Sequence, residues 1–249
     1  MNATNATWSL IKVETKLSLR DKTGPLWGVG FPLIVLIILG SVPVLNEPHD
    51  VYGGRTALDL YVPVFALFNL AILALSAMPT MLAAYRENGV LRRMQTTPIS
   101  PARVLGAQVA ANSATAIVAV VLFLAVANIA FGVRLPENVA GFVVGWLLAG
   151  AALISIGMLI TALAPGRGVA TAIGTVLFFP MMFFAGLWIP LPQMPPLLQD
   201  ISAYTPLGAG ATAMQAASGG DFPDLQPLLV LTGYTVVCAA AAIRWFRWQ

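Results

Sequence analysis

The run Val139-Ala-Gly-Phe-Val-Val-Gly-Trp-Leu-Leu-Ala-Gly-Ala-Ala-Leu-Ile-Ser-Ile-Gly-Met-Leu-Ile-Thr-Ala-Leu-Ala164 contains no Lys, Arg, Asp or Glu. A helix rises about 1.5 Å per residue, so about 20 apolar residues cross a hydrocarbon core roughly 30 Å thick. The run is long enough to be a membrane span. Stretches 26–45, 60–83, 104–131, 169–188 and 225–243 read the same way, each uncharged in its interior. The whole chain agrees: of 249 residues, 58% are hydrophobic and only 9% charged, and mean hydropathy is +0.83, whereas a soluble domain is about 25% charged. The expectation is an all-α polytopic membrane protein of six spans, forming one unit over 1–249. Charged residues from Lys12 to Lys22 precede the first span, and no small-residue cleavage site follows a short apolar core, so that span is expected to be retained.

The sparse charges sort by side. All of the 13 basic residues except Arg55 and Arg134 lie at the N-terminus, in the second and fourth loops, or in the C-terminal tail. The opposite side holds Glu47, Asp50, Asp59, Glu137, Asp200, Asp221 and Asp224. Lys and Arg close to span ends mark the cytoplasmic side, which puts both termini there. The basic pI of about 9.3 then reflects orientation, and no nucleic-acid partner is expected. On a cytoplasmic N-terminus, Asn2-Ala-Thr4 and Asn5-Ala-Thr7 are chance matches to the glycosylation pattern. Cys238 is the single cysteine and forms no intrachain disulfide. His49 has too few neighbouring ligands for zinc, and no metal site is expected.

Residues 8–22 mix Trp8, Leu10, Ile11 and Leu17 with lysines, the pattern of an interfacial helix or of a positively charged flank. In the second loop, a helix over 88–95 would place Val90, Leu91 and Met94 on one face and Arg92 and Arg93 on others, with Pro98 stopping it. Such a helix docks on a membrane or a partner protein; the alternative is a solvated loop. Within the spans, Asn69, Gln108, Asn112 and Thr115 need polar partners in lipid, either as helix-to-helix contacts or along a solute path. Gly141, Gly145 and Ala149 form a stripe suited to close helix packing. Phe178, Phe179, Met182 and Phe184 crowd the outer half of the fifth span, suited to lipid-facing or dimer packing or to contact with apolar solutes. Segment 189–224 is too apolar for a free loop and predicts short external helices dipping into the outer leaflet. The spans hold no carboxylate or base of the kind ion-coupled carriers use, so energy for uphill transport is expected to enter from outside the membrane.

Three features resemble the permease subunit of type-2 ABC exporters. The first is Arg86-Glu87-x-Gly89-x-Leu91-x-x-Met94-x-x-Thr97-Pro98, followed by Arg103 and Gly106, similar to the family's coupling region with Val90 where Thr is frequent. The second is Gly186-x-x-x-Pro190, Met194-Pro195 and Pro206-Leu207, similar to its re-entrant external helices. The third is the basic N-terminal stretch before a span bearing Pro32. The resemblance implies a permease that pairs with a second copy or a paralogue and engages a separate ATP-binding subunit through 86–98. Arg86, Glu87, Gly89, Leu91, Arg92, Arg93, Met94 and Pro98 would form or flank the coupling helix. Asn69, Gln108, Asn112, Phe179 and Met182 are candidates for the translocation path. The chain has no phosphate-binding G-x-x-x-x-G-K-[ST] loop, so it is read as a non-enzyme without a cofactor, with ATP and magnesium on the partner. The setting implied is a bacterial cytoplasmic membrane, and the solute an amphipathic or lipophilic one exported outward. A lipid-modifying membrane enzyme would need clustered acid-base groups, and an ion-coupled carrier or channel would need repeats and broken helices; neither pattern stands out.

Overall fold

The computed structural model describes residues 30–49, 52–89 and 101–245; within 101–108, only Gly106 has a described side-chain environment. The described residues are helical, with an isolated antiparallel bridge between His49 and Arg55. In chain order the helices are α1 (Phe31–Gly40), α2 (Ala57–Glu87), α3 (Pro101–Phe131), α4 (Val139–Leu163), α5 (Arg167–Phe184), α6 (Pro196–Ala203), α7 (Pro206–Ser218) and α8 (Leu225–Trp245). Five helices are long and apolar enough to cross a membrane: α2, the Val109–Phe131 part of α3, α4, α5 and α8. The described part of the expected first span is the shorter α1. The interfacial helix expected over 8–22 lies outside the described residues.

Helix α2 starts earlier and ends later than its apolar run. Thr56 and Asp59 form a capping box at its N-terminal end: Asp59 N donates to Thr56 Oγ1 at 3.1 Å and Thr56 N to Asp59 Oδ2 at 3.0 Å. Asp59 Oδ1 also accepts from the Arg134 backbone N–H at 3.0 Å, tying α2 to the α3–α4 loop. This helix forms the centre of the bundle. Its N-terminal part packs on α1, α3, α4 and α7, and its C-terminal part on α4 and α5.

Midway, residues Ile72–Ala77 form a π-turn. Met78 N–H donates to the Leu73 carbonyl in place of Ala74's, and Pro79 has no N–H to give the Leu75 carbonyl. Both carbonyls thereby lose their ordinary α-helical donors. They face two glycines of neighbouring helices. A Cβ at Gly157 of α4 would overlap the Ala74 oxygen, and one at Gly174 of α5 the Leu75 oxygen. Only hydrogen-faced Cα atoms admit this approach, which permits weak Cα–H···O contacts.

The expected stripe on α4 does pack closely, and its partner is α7. Gly141 meets Ala217, Gly145 meets Met214 and Ala213, and Ala149 meets Gly210. α7 is buried among α2, α4, α5 and α8. The fifth span stops at Phe184, short of the expected 188, because Gly186 at φ +94 closes a Schellman motif: Leu187 N donates to Met182 O and Gly186 N to Phe183 O. Gly220 at φ +98 ends α7 likewise, with Asp221 N donating to Ala216 O and Gly220 N to Ala217 O.

Candidate functional site

The C-terminal end of α2 carries the first residues of the segment 86–98 that resembles the family's coupling region. Asn88 N donates to Ala84 O and Gly89 N to Arg86 O, with Gly89 at φ +64. A left-handed residue ends a helix and turns the chain. A helix beginning at Asn88, as the sequence pattern suggested, is therefore replaced at its first two positions by a turn. Leu91, Arg92, Arg93, Met94 and Pro98 lie outside the described residues.

Arg86 and Glu87 instead reach the turn between α4 and α5. Arg86 Nη2 donates to the carbonyl of Ala164, the C-cap residue of α4. Glu87 Oε1 accepts from the backbone N–H of Arg167, the first residue of α5, at 2.8 Å. Gly166, the N-cap of α5, offers no capping side chain, and a Cβ there would overlap Glu87 Oε1. The cap missing from position 166 is supplied by a carboxylate from α2. Cation at a helix C-terminus and anion at an N-terminus both match the helix dipoles. One turn or more inward, Thr80 Oγ1 and Thr171 Oγ1 are 3.1 Å apart. Thr171 already donates to Arg167 O at 3.0 Å, so Thr80 is the donor between them.

The path candidates are placed apart. Asn69 and Asn112 are buried. Asn112, with Ser113 of α3, lines a small pocket against Leu70, Ala74 and Met78 of α2. Its Nδ2 has no hydrogen-bond partner among the described residues. Met182 is enclosed in the core, whereas Phe179 is exposed. Rings link Phe31, Phe68, Phe178, Phe179 and Trp188 in sequence, at centroid distances of 5.0, 5.5, 5.6 and 6.2 Å. The side chain of Gln108 lies outside the described residues. No group of three or more His, Cys, Asp or Glu that could hold a metal occurs among the described residues.

The central helix thus ends in an Arg-Glu pair held on the turn between α4 and α5. The profile of the ABC-2 type transporter family matches residues 5–218. The chain belongs to that family. A Bacillus subtilis (strain 168) protein described as a transport permease, YvfS, is 26% identical over 231 residues, covering 90% of each chain. Nodulation protein J of Rhizobium leguminosarum bv. viciae is 38% identical over 60 residues, 24% of this chain and 23% of that one. As an ABC-2 member the chain is a multi-pass membrane permease, a non-catalytic transport subunit of a kind that works with an ABC ATP-binding subunit.

Sequence reading of this ABC-2 chain missed Ala164, Gly166 and Arg167, as well as Thr80, Thr171, Gly157 and Gly174. Pro165-Gly166 announces a turn, but nothing in it names Glu87 as the partner. Pro79, four residues after Leu75, is the one local signal for the π-turn.

Proposed function

We propose that the chain is the permease subunit of an ATP-driven exporter that moves an amphipathic or lipophilic solute, drug-like or lipid-linked, outward across a bacterial cytoplasmic membrane. Two copies, or one copy and a paralogue, pair, each engaging an ATP-binding subunit that carries ATP and magnesium. Six spans with both termini cytoplasmic place Arg86, Glu87 and Arg167 inside, and α6 and α7 re-enter from the outer face. Residues 86–98 form the coupling region. The supporting observation is the run of the central helix α2 into that region, with Arg86 and Glu87 held at its mouth.

The test is co-expression with the ATP-binding chain of the same operon, reconstitution, and ATP-dependent export of a lipophilic dye. Leu91→Asp should lower ATP-dependent export by about tenfold or more, the size of a typical coupling free energy, with membrane insertion unchanged. Wild-type export by that variant removes the coupling assignment. Failure of any ATP-binding chain to assemble with the permease in mild detergent removes the larger reading.

A further inference from the structure

The contacts of Arg86 and Glu87 do more than end a helix. They are adjacent residues on α2, and they bind adjacent helix ends: Arg86 the carbonyl end of α4, Glu87 the amide end of α5. Neither contact is local, since they span 78 and 80 positions of sequence. Gly166 leaves space for the carboxylate that any side chain would fill. Farther along the same face, Thr80 bonds Thr171, and the π-turn carbonyls of Ala74 and Leu75 seat on Gly157 of α4 and Gly174 of α5. The inner part of α2 is thus joined to the α4–α5 hairpin at every level from the π-turn to the helix end. The first part of α2 also packs on α4 but adds α1, α3 and α7.

We propose that Arg86 and Glu87 are a latch that carries displacement of the segment after Gly89 into the Ala164–Arg167 turn, so that α4 and α5 follow the coupling region. The inference rests on the permease reading given above. Glu87 and Arg86 are positioning residues in it: they touch no solute and no nucleotide, and act through the two helix ends they hold. Matching of charge to dipole gives the latch a polarity. Anion on the α5 amide and cation on the α4 carbonyl hold, and loss of either frees one helix end.

Amide hydrogen exchange on the assembled complex, with and without ATP, reads this directly. In the wild type, nucleotide changes exchange both in segment 90–98 and in amides 166–170. Glu87→Ala should speed basal exchange at 167–170 about fivefold, the effect of losing one N-cap, and abolish the nucleotide response there. Glu87→Gln, which keeps an acceptor oxygen, should restore most of both. Gly166→Ala keeps the charge and displaces the carboxylate, so it should reproduce the Glu87→Ala result and stands in for it where that variant fails to fold. A nucleotide response at 166–170 that persists in Glu87→Ala and Gly166→Ala overturns the latch and leaves Glu87 as a local cap. Unchanged basal exchange in both variants overturns the contact itself. A wild-type complex whose segment 90–98 ignores nucleotide counts instead against the coupling function.

Discussion

Single atoms decide how closely the helices approach. At Gly157 and Gly174 the absent Cβ leaves room for a carbonyl oxygen of α2, and adding a methyl there forces backbone to move. Gly157→Ala or Gly174→Ala should each destabilise the fold by about 1–3 kcal/mol, the usual cost of overpacking, seen as a lower unfolding temperature in detergent. Gly150→Ala is the control, because a Cβ there meets only Leu70 methyls at 3.6 and 3.7 Å and should be near neutral. At Gly89 the strain is of another kind: φ is +64 with open space around it. Gly89→Ala should cost about 1–2 kcal/mol in the turn through left-handed backbone alone, with Gly89→Asn milder. Glu87 was legible in the sequence through its motif. Its partner was not, because the Arg167 backbone N–H carries no side-chain identity and lies 80 residues away.

At the scale of elements, hydropathy located the long helices and misjudged their ends. The runs 60–83 and 169–188 record where side chains are apolar, but helix ends are set by hydrogen bonds: the Thr56–Asp59 box starts α2 at Ala57, and Gly186 stops α5 at Phe184. The stripe Gly141, Gly145 and Ala149 was readable because small residues at helical spacing have one common use. That its partner is α7 was not, since α7 is only 13 residues long and carries no span signal. Among the described residues, a few groups join the N-terminal end of α2 to its neighbours. Asp59 accepts from Thr56 N and Arg134 N, and Arg55 Nη1 donates to Gln215 O at 3.4 Å near the end of α7. Asp59→Ala leaves two backbone donors without their acceptor and should lower stability by about 1–3 kcal/mol. In the same thermal assay, Arg55→Ala should cost less, because its bond is long and the guanidinium part-exposed.

At the scale of the whole molecule, the hydrogen-bonded charges among the described residues collect at two ends. Arg86, Glu87 and Arg167 meet at one, and Arg55, Asp59 and Arg134 with Glu137 beside Gly220 at the other. Between them the described stretches of the long helices carry no Lys, Arg, His, Asp or Glu. Asp59 sits at the edge of these stretches, since the observed start of α2 brings its carboxylate into a helix and buries it. A proton carrier must exchange its proton during the cycle, which calls for a path and for a neutral form with partners of its own. Asp59 is committed elsewhere: each of its oxygens accepts a backbone N–H, which holds the side chain as a fixed helix cap. Under the proposed function, energy for uphill transport would arrive through the Arg86–Glu87 end of α2. With ATP held constant in proteoliposomes, dissipating the proton and sodium gradients by ionophores should leave export within about twofold of its starting rate, as expected where no intramembrane group relays ions. Asp59→Asn should likewise keep ATP-dependent export once its loss of stability is offset by a lower assay temperature. A drop of about tenfold on gradient collapse would revive the ion-coupled carrier, and the same drop in Asp59→Asn would make Asp59 its relay.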